Sequence, residues 1–167
     1  MDFVSDGTRA ARYADDFVAA HQEFIDLVGS LSDDQWRTIG KNFPDRTNDE
    51  DETRPAGVIA LHVADGEVFI MDRIDLMLED KPLKPVNFRD SNARQAIDHA
   101  DVTRDEVLAM LRANHESIPP RVRAIPDEAL DVEHETPVGP ATVAQRLERV
   151  LIGHMNMHRG SIEAAIS

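Results

Sequence analysis

Cysteine is absent from this chain of 167 residues, which removes disulfides, thiolate zinc sites, iron–sulfur clusters and cysteine nucleophiles together. Any metal must then be held by imidazole and carboxylate. Lysine is nearly as scarce, since Lys41, Lys81 and Lys84 are the only ones, and 32 acidic residues against 18 basic ones give a formal charge of −14. That balance argues against nucleic acid or an anionic membrane as partner, because both reward a basic face; it suits solubility, or the attraction of a basic partner. No apolar run approaches the ~20 residues of a membrane span. The opening Met1-Asp2-Phe3-Val4-Ser5-Asp6 carries acid where a signal peptide carries base. These features lead to the expectation of a cytoplasmic protein with one domain, residues 1–167, large enough to bury roughly 70% of its unfolded surface.

What is present is helical periodicity. From about Thr8 to Val28, Tyr13, Phe17, Ala20, Phe24, Leu27 and Val28 form one stripe. Ser32-Asp33-Asp34-Gln35 has the form of a capping box, and the only tryptophan, Trp36, follows as a core plug. Lys41 to Arg54 reads as a solvated connection; its acidic run Asp49-Glu50-Asp51-Glu52 lacks the alternation and glycine of a calcium loop. A second helix starts at Pro55 and runs to about Leu78, with an expected buried stripe of Val58, Leu61, His62, Asp65, Phe69, Asp72 or Arg73, and Leu76. After a proline-containing connection and a short helical piece over Asn92 to Ala100, the capping box Thr103-Arg104-Asp105-Glu106 opens a third helix. It carries Val107, Leu108, Leu111, His115 and Ile118 until Pro119-Pro120 stops or kinks it. Val132 to Pro140 is loop or a brief hairpin. The last helix begins near Ala141 or Thr142 and places Val143, Leu147, Val150 or Leu151, His154, His158, Ile162 and Ala165 on its core face. The sum is an all-α, antiparallel four-helix bundle whose connections are long enough for at least one crossover.

His154 and His158 replace apolar residues on one face, and residues four apart on a helix lie one above the other, so both rings can reach one ion. At 1.5 Å per residue, His62 lies about 11 Å from the start of the second helix, and the pair lies about 12–18 Å from the end of the last. These depths coincide only if the two helices run antiparallel. The spacing alone is weak, and the metalloprotease pattern fails because Met155 stands where its glutamate is needed. His115 is expected as a hydrogen-bonded core histidine, His21 as pocket lining or a group behind the ligands, and His99 and His134 as solvated. Asp65, one turn beyond His62, is open to four readings: fourth ligand, general base, acceptor fixing an imidazole tautomer, or partner of a buried arginine. Gly66, Gly153 and Gly160 sit inside helices near these positions, where close backbone approach or room for a substrate would account for them.

Laid out in this way, the chain resembles the DinB-like superfamily of metal-binding four-helix bundles. The resemblance rests on Leu31-Ser32-Asp33-Asp34-Gln35-Trp36, on Val58-Ile59-Ala60-Leu61-His62-Val63-Ala64-Asp65, and on Gly153-His154 followed by His158-Arg159-Gly160-Ser161-Ile162, and it spans essentially the whole chain. It implies an up-down-down-up bundle, frequent homodimers, and a divalent zinc, nickel or iron site made by His62, His154 and His158. Relatives include thiol S-transferases that use low-molecular-weight thiols, a thiol-dependent isomerase, and proteins termed metal-dependent hydrolases. The isomerase branch carries Glu where His154 stands here.

The expectation is therefore a divalent metal with an open position acting as a Lewis acid on a small-molecule substrate. A low-molecular-weight thiol cosubstrate would supply the nucleophile that a chain without cysteine lacks. Asp65 and Arg159 are the candidate catalytic groups, Arg159 holding an anionic substrate group or simply capping the helix end. The alternatives are a metal-dependent hydrolase and a bundle whose metal only stabilises its core.

Overall fold

The structure, a computed structural model, describes residues 9–42 and 51–167. Thr8, Pro44, Asn48 and the first half of the acidic run lie outside the described residues. In chain order the elements are α1 (Arg9–Ser30), α2 (Asp33–Arg37), α3 (Ala56–Leu78), α4 (Phe88–Asp98), α5 (Arg104–Arg123), α6 (Asp127–Leu130), β1 (Glu133–His134), β2 (Ala141–Thr142), α7 (Val143–Gln145), a π-helical stretch (Arg146–Ile152) and α8 (Gly153–Ile166). The last three are successive segments of one helix. The capping boxes at Ser32/Gln35 and Thr103/Glu106 form, and a third, Thr142/Gln145, starts the last helix. The brief hairpin also forms, with Glu133 opposite Thr142 and His134 opposite Ala141. Among the described residues no helix is long and apolar enough to cross a membrane.

Polar contacts at the helix ends set the directions. Arg104, at the start of α5, reaches Leu31 O and Asp33 at the end of α1, while Arg9, at the start of α1, binds Asp131 just beyond α6. So α1 and α5 are antiparallel. Arg121, near the end of α5, binds Asp72 and Asp75 near the end of α3, so α3 and α5 are parallel. Lys41 N–H donates to Ser161 O at 3.0 Å and Gly40 N–H to Arg54 O at 3.0 Å. These bonds set the start of α3 beside the C-terminal half of α8, and that pair is antiparallel. The order is up-down-down-up.

Parallel α3 and α5 oblige the chain to travel back along the bundle between them. Arg73 Nη1 donates to Lys84 O, Gln95 Nε2 to Asp65, and Trp36 Nε1 to Val102 O, so the returning segment tracks α3 from its end to its start. Helix α4 is that crossover, four residues earlier in the chain than expected, and none of its residues is buried. Pro119 and Pro120 do not stop α5, which continues to Arg123 with Ile118, Pro119 and Val122 buried.

The buried face of α3 differs from the expected stripe. Asp65, Phe69 and Asp72 are exposed, whereas Glu67, Ile70, Met71, Ile74 and Met77 are buried. The first turns, Ala56 to Leu61, are buried on every side, because α2, α5 and the last helix surround them. At Gly57 a Cβ would lie 2.4 Å from Trp36 Cε2, so the half-buried indole packs directly on the α3 backbone.

Glu67 is tolerated because three helices meet around it. Its Oε2 lies 3.0 Å from His21 Nε2 and accepts Asn114 Nδ2 at 2.9 Å, and the same amide also donates to Ala64 O. His21 Nδ1 lies 3.0 Å from Nδ1 of the half-buried His115, and one proton between the two nitrogens makes that bond. His21 is fully buried and stacks on Phe17. Burial and the neighbouring His21 push the His115 pKa down. His134 departs from expectation, its side chain only 14% exposed at the hairpin, 3.9 Å from Asp80.

Two substitutions test this packing. Gly57→Ala is expected to lower the free energy of unfolding by about 1–3 kcal/mol through overpacking against Trp36, measured by urea denaturation. Glu67→Ala leaves His21 Nε2 buried without an acceptor and is expected to cost at least about 1–3 kcal/mol, read in the same titration.

Candidate metal centre

His62 enters from the second turn of α3, and His154 and His158 come from adjacent turns of α8. The π-helical stretch ends immediately before them: Gly153 N–H donates to Glu148 O, five residues back, and a Cβ at Gly153 would lie 3.2 Å from that oxygen. Gly66 is less constrained, since its Cβ would make an ordinary 3.7 Å contact with His154 Cε1.

The three rings converge. His154 Nε2 lies 3.0 Å from His62 Nε2 and 3.0 Å from His158 Nε2. The ring planes meet at 63°, 86° and 86°. Proton sharing does not account for this arrangement, because an imidazole nitrogen carries either one proton or one in-plane lone pair and so makes one good hydrogen bond. A cation between the nitrogens satisfies all three. Nitrogens 3.0 Å apart can both sit about 2.1 Å from one ion, which is a normal metal–imidazole distance. The donor set therefore fits a divalent metal of intermediate softness.

Electrostatics keep the ligands in the form a metal requires. Burial, then the neighbouring His154 and Arg54, lower the His62 pKa from 6.5 to about 3; a side-chain hydrogen bond with Gln95 acts more weakly in the opposite direction. Burial and Arg54 lower that of His154 to about 4. Both rings are neutral near pH 7. His158 is buried, while His62 and His154 are partly exposed and can be reached from outside.

Within reach of one another, the metal-ligating groups among the described residues are these three histidines alone; no carboxylate oxygen joins them. Asp65 is exposed and accepts Gln95 Nε2 at 2.7 Å, and the Gln95 side chain also lies close to His62. Arg159 faces α1 instead, paired with Glu23 and, at 3.4 Å, with Glu163, beside a cleft of about 500 Å³ between α1 and the last helix. The structure thus assembles His62, His154 and His158 and leaves Asp65 and Arg159 outside the cluster. Gln95 and Arg54 are neighbours of the site that sequence reasoning missed. The place of Gln95 follows only from the crossover, and the one sequence sign of Arg54 was its position just ahead of Pro55.

No curated protein matches the sequence. A solved structure of an uncharacterized protein from Clostridium difficile 630 superposes with a TM-score of 0.64 at 13% identity, covering 91% of this chain and 92% of that one. It shows the same fold. A family model described as the DinB superfamily matches residues 16–162, which include all three histidines of the triad. The chain belongs to the DinB superfamily.

Proposed function

We propose that the protein is a metal-dependent thiol S-transferase acting on a small electrophile, with zinc or nickel held by His62, His154 and His158. The observation that carries this reading is the convergence of three imidazole nitrogens with no protein carboxylate among the described residues to close the set. A structural site takes four protein ligands, whereas a catalytic one keeps a position for an exchangeable ligand. A bound divalent ion supplies Lewis acidity there, which favours the thiolate over the thiol at neutral pH.

The chain's own residues do the rest. Neutral imidazoles, kept so by burial, leave the ion's charge uncompensated and available to an incoming anion. His62 and His154 are partly exposed, and a substrate would approach the centre past them. Asp65, through Gln95, orients the His62 ring, a carboxylate acting on a ligand through one intervening amide. Arg159 holds the last helix against α1 through Glu23.

Metal analysis of the purified protein is expected to show about one divalent ion per chain, and His154→Ala is expected to lose it; unchanged metal content in that variant would sink the three-histidine site. The loaded protein should conjugate a generic electrophile such as 1-chloro-2,4-dinitrobenzene with a cellular thiol, and the chelated protein should not. Inactivity with every thiol, together with metal-dependent ester cleavage, would replace the transferase by a hydrolase.

The pH dependence has a definite sign. The unfolded chain protonates both rings below about pH 6.5, whereas the folded protein resists until about 3 for His62 and about 4 for His154. Their contribution to stability is therefore fully present above 6.5 and lost as pH falls toward the folded values. At pH 5 the loss is on the order of 2 kcal/mol per ring. The chelated protein is expected to show a falling Tm between pH 7 and 5 by calorimetry, and His62→Leu should make that slope shallower.

A further inference from the structure

Glu52 and Arg54, just ahead of α3, are buried together, their side chains 2% and 11% exposed. Arg54 Nε and Nη2 donate to Glu52 Oε1 and Oε2, each at 2.8 Å. The backbone N–H groups of Thr53 and Arg54 donate to Oε1 as well, at 3.1 and 3.0 Å. One edge of the guanidinium is therefore filled by a carboxylate in fork geometry. The other edge is not: Nη1 is shielded from solvent and has no hydrogen-bond partner among the described residues. A buried, unbonded, charged donor is costly and calls for an acceptor.

Its location gives this donor a chemical role. Gly40 joins Arg54 O to the segment whose next residue, Lys41, bonds Ser161 O, and Ser161 lies one turn beyond His158. Arg54 thus stands at the end of the α3–α8 pair that holds the triad. Its charge is felt by both partly exposed ligands, His62 and His154. Imidazole ligands bring no charge to a divalent ion and Glu52 pairs with Arg54, so the ion's own positive charge favours an anionic ligand.

We propose that Arg54 Nη1 is a binding subsite for a carboxylate carried by the ligand that occupies the open side of the three-histidine centre. This rests on the reading of that centre as a metal site. The remaining edge of the guanidinium, Nη1 with the second N–H of Nη2, repeats the geometry in which the first edge already holds a carboxylate, a match a lysine could not reproduce. The carboxylate belongs either to the thiol or to the electrophile that reacts with it.

The test uses the cobalt(II)-loaded protein, titrated with mercaptoacetate and with its uncharged isostere 2-mercaptoacetamide, sulfur ligation being read in the ultraviolet charge-transfer band. The ratio of the two dissociation constants, compared between wild type and Arg54→Met, cancels the difference in thiol acidity. That ratio should favour mercaptoacetate about 10-fold more in the wild type, equivalent to about 1.4 kcal/mol, with equal cobalt content in both proteins. Acetate against acetamide, read in the visible bands, covers the other source. Selection of acetate that is lost in Arg54→Met, without discrimination between the thiols, places the carboxylate on the electrophile and sustains the subsite. Failure of either thiol to ligate would remove the transferase reading and leave the acetate comparison to decide on Arg54. Ratios unchanged by the substitution for both pairs overturn the subsite. Should Arg54→Met fail to fold because Glu52 loses its guanidinium partner, the double variant Glu52→Gln/Arg54→Met reads the same ratios.

Discussion

The parallel alignment of α3 and α5 is the constraint on which the rest of the arrangement depends. Two parallel neighbours cannot be joined by a tight turn, so the chain must return along the bundle, and the return path carries α4 past Asp65 and His62. The crossover that brings Gln95 to the site is therefore a product of helix order. The same order leaves α8 antiparallel to α3, and only then do His62, two turns into one helix, and His154 and His158, in the first two turns of the other, meet at one depth.

The bundle holds two groups of histidines, and they do opposite things. In the interior of α1, α3 and α5, His21 and His115 are tied to Glu67 and Asn114, so every ring has a protein partner. Between α3 and α8 the three rings converge on one another through their Nε2 atoms. Where Glu67 is available the imidazoles build a hydrogen-bonded core, and where no carboxylate oxygen among the described residues joins the cluster their lone pairs suit a cation. Neutrality, enforced by burial, is what makes the second group suitable for metal.

Much of this was legible in the residue pattern. His154 and His158 declared themselves by standing in apolar register, and His62 by matching their depth, because helix rise converts sequence separation directly into distance. The capping boxes were legible for a similar reason, since side chain and backbone partners lie three residues apart. The buried face of α3 was not. The expected stripe ran through Asp65 and Phe69, whereas the helix buries Glu67 and Met71, because it is packed from more than one side and its buried acid is hydrogen-bonded by His21 and Asn114 from other helices. Pro119 and Pro120 misled in the same way: local propensity marks a break, but the packing of Ile118 and Val122 carries the helix through. Arg54 was illegible because its meaning depends on which of its two edges remains unbonded.

The π-helical stretch Arg146–Ile152 sets the rotational phase of everything after it. The wider ladder keeps Leu147, Leu151 and Met155 on the core side at four-residue intervals, after which α8 resumes with the histidine pair already turned toward α3. Closing the same residues into ordinary helix, with none removed, would turn the pair away from α3, because each residue of a five-residue ladder advances the chain by less than the α-helical angle of about 100°. The wider ladder thus absorbs one residue within a turn, and a chain one residue shorter there, running as ordinary helix, would still present both histidines toward His62.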